Sequence, residues 1–126
     1  MMPPLAEGGH LQGAELARRI VDVLSDKRAE DILLLDIRAV ALFADYFAIA
    51  SAETVRHTQA LCDALDEELA KDGVSAWRRL AAGEAGSGWV LLDYGDVIVH
   101  IFGPEQRSFY DLEGLWREGV PVVRIQ

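Results

Sequence analysis

The sequence predicts an α/β domain of the α+β type, in which helices flank a mixed sheet of about five strands. Short apolar runs alternate with two longer segments of helical period, and two consecutive runs are joined by a tight turn. The chain has 126 residues, of which 51% are hydrophobic, so one domain can enclose its own core. We predict a folded domain over residues 14–118, a flexible leader over residues 1–13 and a C-terminal tail over residues 119–126.

The first helix is predicted to begin at about Ala14. Residues 1–12 contain two prolines and two glycines that interrupt any regular pattern, which is typical of a frayed terminus. Within the helix, the apolar residues share one helical stripe: Leu16, Ile20, Val23 and Leu24. The polar residues 25–27 end this helix.

Two buried strands and a second helix follow. Residues 31–37 and residues 46–51 are apolar runs of the kind found in strands that are covered on both faces. The next segment returns to helical period, with Thr54 as the predicted N-cap and Gly73 near its end. The residues of its inward stripe are Val55, Thr58, Leu61, Cys62, Leu65 and Leu69.

An antiparallel hairpin is the clearest local prediction. Residues 89–92 and 97–102 are strong strand segments, and Gly95 between them can adopt the positive φ that tight turns require. A weaker strand over residues 74–80 is expected at a sheet edge because it contains arginines.

A short helix is predicted after the hairpin, over residues 105–117, with Pro104 opening it. Four of its side chains are expected to pack inward: Phe109, Leu112, Leu115 and Trp116. Residues 120–125 either add a short strand or lie on the surface.

The charge of the chain favours a basic partner. Twelve basic residues against 21 acidic residues give a formal net charge of −9. Nucleic-acid affinity depends on Lys and Arg side chains that displace counterions, so direct, charge-driven nucleic-acid binding is not expected. A basic protein is the better partner because opposite charges speed association. The alternative is that the acidity only maintains solubility.

The same sequence gives no sign of a membrane or secreted protein. No apolar run reaches the ~18 residues that span a bilayer, and the first residues lack the pattern of a signal peptide. We therefore expect a cytoplasmic protein. Cys62 is the single cysteine, which precludes an internal disulfide, and its place on the apolar side of a helix indicates a structural role.

Acidic residues at strand ends are compatible with a metal-dependent enzyme, but the pattern is weak. The carboxylates that could converge on Mg²⁺ are Asp36, Asp45, Asp93 and Asp96. The sequence has no P-loop and no Gly-x-Gly-x-x-Gly motif to hold a nucleotide. The three histidines are too scattered for a metal site: His10, His57 and His100. We therefore predict neither an enzyme nor a cofactor.

Aromatic and acidic residues are concentrated at the hairpin. Trp89 begins it, and Tyr94 stands at its turn beside Asp93 and Asp96. Rings surrounded by charge at a rigid turn are typical of a docking hot spot. Core packing is an equal alternative for Trp89, whereas Tyr94 is expected to be exposed. On this interpretation, Tyr94→Ala would weaken the complex with a partner by ~1–3 kcal/mol.

Several segments resemble the ribosomal silencing factor family, also called RsfS or Iojap. The most specific is WVLLDYGDVIVHIF at residues 89–102, followed by RSFYDLEGLW at residues 107–116. Residues 29–37, residues 45–49 and the pair Arg56-His57 match in family order, so the resemblance extends over most of the chain.

The resemblance implies a function that composition does not reveal. Members of this family bind the large ribosomal subunit through its protein L-fourteen, block association with the small subunit and so repress translation, especially under nutrient limitation. The implied fold is a mixed five-stranded sheet with flanking helices, similar to nucleotidyltransferases but without their active site. Homodimers are common among isolated members, so a homodimer is a further expectation.

The resemblance also implies a surface that contacts the basic partner. Its residues are Trp89, Asp93, Tyr94, Gly95, Asp96 and His100, with Tyr110 and Asp111 as secondary candidates. The chain departs from the family before the second helix, where Ser51 to Val55 lack the usual Thr-Gly, although Thr54 can still cap the helix. Two other functions stay open: a nucleotidyltransferase remnant that binds nucleotides with Mg²⁺, and an adaptor for another basic protein.

Overall fold

A six-stranded mixed sheet forms the centre of the structure, a computed structural model that describes residues 11–81 and 88–126. In chain order the elements are α1 (Gly13–Asp26), β1 (Glu30–Asp36), β2 (Tyr46–Ser51), α2 (Val55–Ala70), β3 (Arg78–Ala81), β4 (Trp89–Asp93), β5 (Val97–Phe102), α3 (Pro104–Tyr110), α4 (Leu112–Leu115) and β6 (Val120–Ile125). The strand order is β3-β4-β5-β2-β1-β6, with β2 and β5 parallel and all other neighbours antiparallel. The predicted fold class is confirmed.

The sheet has one strand more than the expected number of about five. The additional strand is β6, which pairs antiparallel with β1 from Val120 opposite Asp36 to Ile125 opposite Ile32. Residues 120–125, left open between a strand and a surface segment, therefore belong to the sheet. At the other end, Gly13 already begins α1, and residues 1–10 of the predicted leader lie outside the described residues.

The predicted hairpin is confirmed. Strands β4 and β5 pair from Trp89 opposite Phe102 to Asp93 opposite Ile98. Gly95 adopts a φ of +88° in the turn, as its position required. The edge strand predicted over residues 74–80 is confirmed in position but is shorter, since β3 begins only at Arg78 and occupies the end of the sheet next to β4.

Each face of the sheet has its own apolar cluster. Alternate residues of a strand point to opposite faces, so Ile32 and Leu34 of β1 join one cluster while Leu33 and Leu35 join the other. Helices α1 and α2 cover the first face. The second face is covered by the loop between β1 and β2 and by the short helices α3 and α4.

Helix α2 begins as predicted despite the missing glycine. The backbone N–H of His57 donates to Thr54 Oγ1 at 3.0 Å, which satisfies one of the unpaired donors of the first turn. Gly73, with a φ of +77°, follows the end of the helix. No helix among residues 11–81 and 88–126 is long and apolar enough to cross a membrane.

The predicted single helix over residues 105–117 is wrong. Asp111 adopts a left-handed conformation, with φ 45° and ψ 53°, and separates α3 from α4. This residue changes the direction of the chain, so one helical stripe does not continue across the segment. Leu112 is buried and Trp116 is half-buried, whereas Phe109 and Leu115 are exposed and do not pack inward.

Candidate functional site

Tyr94, expected to be exposed at the hairpin turn, is buried. Only 5% of the surface of this residue is exposed to solvent. Its hydroxyl donates to Asp66 Oδ1 of α2 at 2.8 Å. Burial and this hydrogen bond raise the pKa of Tyr94 above its ordinary value. The prediction of an exposed ring was wrong because the turn lies against α1 and α2, and sequence position alone does not show which way the ring points.

The two carboxylates of the turn serve the fold. Asp93 is buried, and its Oδ1 accepts from the Gly95 N–H at 2.9 Å, while its Oδ2 lies 3.4 Å from Arg78. Asp96 Oδ2 accepts from the N–H of Gly13, the first residue of α1, at 2.9 Å. The residue at the N-cap of α1 supplies no side-chain cap, so Asp96 supplies it from 83 residues away.

The acids that suggested a metal enzyme do not assemble into a site. Asp36 pairs with Arg38 at 2.7 Å, and this hydrogen bond holds the pKa of Asp36 below its usual value. Within the part of the chain that the structure describes, no group of three or more His, Cys, Asp or Glu side chains is arranged to hold a metal ion. Burial also raises the pKa of the Cys62 thiol to about 11, which keeps it protonated.

Aromatic rings gather instead on the second face of the sheet, and we call this surface the aromatic face. Its rings belong to Phe43, Phe47, Trp89, His100, Phe102, Phe109, Tyr110 and Trp116. Neighbouring ring centroids are 4.7–6.4 Å apart, and the contacts form one continuous network. The network includes all four phenylalanines of the chain. Five separate segments of the sequence contribute to it.

Trp89 and His100 form the base of the aromatic face. The indole N–H of Trp89 donates to His100 Nδ1 at 3.1 Å, and the indole stacks on Phe102 with a centroid separation of 4.9 Å. Because Nδ1 accepts, neutral His100 carries its proton on Nε2, which is buried without a hydrogen-bond partner among the described residues. Burial lowers the pKa of His100 to about 3, so the imidazole is neutral near pH 7.

The rim of the aromatic face is open to solvent. Phe109 is 80% exposed and contacts the half-buried Tyr110, which in turn packs on Trp89 with ring centroids 4.8 Å apart. Phe43 is exposed and contacts Trp116 at a centroid distance of 5.7 Å. Leu42 lies next to Phe43 in the chain and is fully exposed. Exposed apolar side chains gathered on one surface mark a site of protein–protein contact.

The structure therefore divides the eight predicted contact residues. Three belong to the aromatic face: Trp89, His100 and Tyr110. Four form the turn and support the fold: Asp93, Tyr94, Gly95 and Asp96. Asp111 is exposed at the junction of α3 and α4, and its carboxylate accepts from the Gly114 N–H.

The sequence interpretation overlooked the loop between β1 and β2. Leu42 and Phe43 lie in this loop, outside any helix or strand. The prediction of contact residues relied on periodic elements and therefore did not include them. Two adjacent large apolar residues in a loop were the available signal, since loops that face only water rarely need them.

The burial of His100 predicts a pH dependence of stability. The unfolded chain binds a proton at this side chain below pH ~6.5, whereas the folded chain binds it only near pH 3. The free energy of unfolding should therefore fall as the pH decreases through this window, by at most ~1.4 kcal/mol per pH unit from this group. In His100→Asn, whose Oδ1 can take the place of Nδ1 as the acceptor for Trp89, that part of the slope should disappear in urea unfolding at several pH values. Parallel curves for the two proteins would contradict the assignment.

Comparisons with known proteins agree on one family. The family model "Ribosomal silencing factor during starvation" matches residues 11–126. The chain is 42% identical over 91 residues to ribosomal silencing factor RsfS of Bacillus subtilis, covering 72% of this chain and 75% of that protein. It is 33% identical over 116 residues to RsfS of Halalkalibacterium halodurans, covering 92% and 97% of the two chains.

A solved structure supports the same relationship. A crystal structure of a protein from Chromobacterium violaceum matches with a TM-score of 0.77 and 30% identity, covering 85% of this chain and 88% of that one. The family match spans nearly the whole chain, including the hairpin and the short helices that build the aromatic face. The chain therefore belongs to the family of ribosomal silencing factors, which are regulatory proteins and not enzymes.

Proposed function

We propose that this chain represses translation in the cytoplasm by binding the large ribosomal subunit. In this proposal it binds ribosomal protein L-fourteen and blocks association with the small subunit, especially when nutrients are limiting. Membership of the silencing factor family supports the ribosome as the target. The observation that supports a protein contact is the continuous network of rings with an exposed rim.

The aromatic face has the composition and the rigidity of a docking surface. Trp and Tyr are the residues that most often dominate binding energy, and Trp89 and Tyr110 contact each other here. The hydrogen bond between Trp89 and His100 fixes the base of the surface before any partner arrives. A surface that is already ordered loses little conformational entropy on binding, so more of the contact energy appears as affinity.

The charge of the chain fits a basic ribosomal protein. With a net charge of −9, the chain is attracted to a positively charged partner over distances of about a Debye length. Asp111 is exposed at the junction of α3 and α4 and directly follows Tyr110 of the aromatic face in the chain. A carboxylate at the rim of an apolar contact forms charge-assisted hydrogen bonds with Lys or Arg.

The blocking step requires no chemical reaction. A rigid domain of 13.9 kDa seated on the face of the large subunit that meets the small subunit occupies the volume that the small subunit needs. Inhibition by steric exclusion should then follow occupancy alone. The fraction of free subunits should rise in proportion to the fraction of large subunits that carry the protein.

Sedimentation of the protein with purified subunits tests the proposal directly. We expect co-migration with the large subunit, no co-migration with the small subunit, and fewer joined ribosomes as the protein concentration rises. Absence from the large-subunit fraction would refute the proposal. In a pull-down from lysate, enrichment of a basic protein other than the large subunit would favour the adaptor function. Calorimetric binding of nucleotides with Mg²⁺ would favour the nucleotidyltransferase remnant.

We also propose that the isolated chain forms a homodimer. The support is the exposed apolar rim, because Phe109, Leu42 and Leu115 are left uncovered in the single chain. Sedimentation equilibrium over a range of concentrations measures the mass of the species, and a monomer mass at all concentrations would refute the homodimer.

A further inference from the structure

Trp77 is an exposed ring outside the aromatic face, and it lies against the hairpin turn. Its backbone N–H donates to the Asp93 carbonyl oxygen at 2.7 Å, so the residue is fixed just before β3. Its side chain is 75% exposed. The ring nevertheless lies against the turn, since a Cβ atom at Gly95 would be 3.1 Å from Trp77 Cζ2. The indole is therefore both held in place and open to solvent.

A cavity of about 490 Å³ opens beside this ring. Apolar side chains line part of it, among them Leu11, Leu16 and Val74, together with the buried Tyr94. Asp96 is the charged residue among those that line the cavity. Its Oδ2 caps α1 by accepting from the Gly13 N–H. The cavity is open to solvent and its accessible lining is mostly polar, and it combines the exposed Trp77 ring, the half-buried Leu11 and an anion.

The neighbouring arginines do not make this a phosphate site. Arg78 lies 3.4 Å from Asp93, and Arg79 lies 3.1 Å from Asp63 and 3.5 Å from Asp66. Both cations are therefore paired with carboxylates of the chain itself. With a carboxylate in the cavity and a net charge of −9 on the chain, an anionic ligand is repelled and a cationic one is attracted.

We propose that the cavity beside Trp77 binds an arginine or lysine side chain from an extended basic segment of another protein. The aliphatic stem would lie along Leu11, and the cation would face both the indole and the Asp96 carboxylate. Cations bind over the face of Trp more strongly than over Tyr or Phe. This site is separate from the aromatic face and does not depend on the ribosomal function proposed above.

Binding of a short peptide of alternating glycine and arginine, with blocked ends, tests the proposal in the full chain. The chain has three tryptophans, so their indole N–H signals can be followed individually by NMR. We expect the Trp77 signal to shift and saturate while the Trp89 and Trp116 signals stay in place. A peptide with glutamine in place of arginine should give no shift.

Substitutions separate the cation site from a general surface effect. Trp77→Leu should weaken peptide binding at least threefold, measured on the Gly95 amide signal, and Trp77→Tyr should restore part of it. Asp96→Asn keeps a cap acceptor for α1 but removes the charge, and should also weaken binding at least threefold. Val55→Ala, an exposed apolar change on α2, serves as the control and should have no effect.

Three results would overturn the proposal. They are an unmoved Trp77 signal at saturating peptide, an equal response to the glutamine peptide, and a Trp77 shift with single-stranded RNA that exceeds the shift with the arginine peptide. None of these measurements involves ribosomes, so their failure would leave the proposed ribosomal function unaffected.

Discussion

Tyr94→Ala is expected to destabilise the domain by ~3–5 kcal/mol, the range typical of removing a large buried ring. Tyr94 packs among residues of α1 and α2, and its hydroxyl bonds to Asp66. Alanine would leave a cavity and remove the hydrogen bond to Asp66, so both packing and hydrogen bonding are lost. Urea unfolding followed by circular dichroism measures the change. Since domains of this size are stable by only ~5–15 kcal/mol, the effect is a large share of the total.

Tyr94→Phe is the matched control, since it removes the hydroxyl and keeps the ring. Its cost should be ~1–3 kcal/mol, because Asp66 is a charged acceptor. The two variants also separate the structural role of Tyr94 from the docking role that the sequence suggested. If the folded fraction of Tyr94→Ala binds large subunits as the unmodified chain does, the ring is structural. Unchanged stability together with weakened binding would restore the original interpretation.

Phe109→Ala is expected to weaken binding to the large subunit by ~2 kcal/mol or more, about a 30-fold increase in Kd. Phe109 is the most exposed ring of the aromatic face and rests on Tyr110. Because the side chain is exposed and α3 has no buried residue, the free energy of unfolding should change by less than ~0.5 kcal/mol. Co-sedimentation at graded protein concentrations measures the Kd.

Val55→Ala provides the comparison for this variant. Val55 is likewise an exposed apolar residue, but it lies in the first turn of α2 and outside the aromatic face. Its substitution should leave Kd unchanged. Equal binding by the unmodified chain, Phe109→Ala and Val55→Ala would show that the aromatic face does not contact the large subunit, and the interface would have to be sought elsewhere.

The distinction between the turn and the aromatic face changes how the hairpin motif is understood. Its acids and Tyr94 make contacts that hold the turn to α1, α2 and β3, through Gly13, Asp66 and Arg78. Its Trp89 and His100 make contacts within the aromatic face. One short sequence therefore supports the fold with some residues and presents a surface with others. Within β4 the alternation of side chains places Val90 and Leu92 on the face of α1 and α2 and Trp89 on the aromatic face, whereas Tyr94 and Asp96 are oriented by the turn.

The sequence predicted the local elements that follow from periodicity and turn chemistry. Strand β2 is found at the residues that its apolar run indicated, and Thr54 caps α2 as its position suggested. Gly95 takes the positive φ that a tight turn needs. The break at Asp111 was not predicted, because nothing in the periodicity of residues 105–117 marks a left-handed residue.

By itself, the sequence determined the fold class, the hairpin, the two long helices and the family, because these depend on patterns among neighbouring residues. Only the tertiary structure decided that Tyr94 is buried while Trp77 is exposed, and that β6 pairs with β1. It also decided that rings from five segments meet on one face. Which side of a turn or sheet is covered depends on elements distant in sequence, since the burial of a side chain is a property of the packed whole.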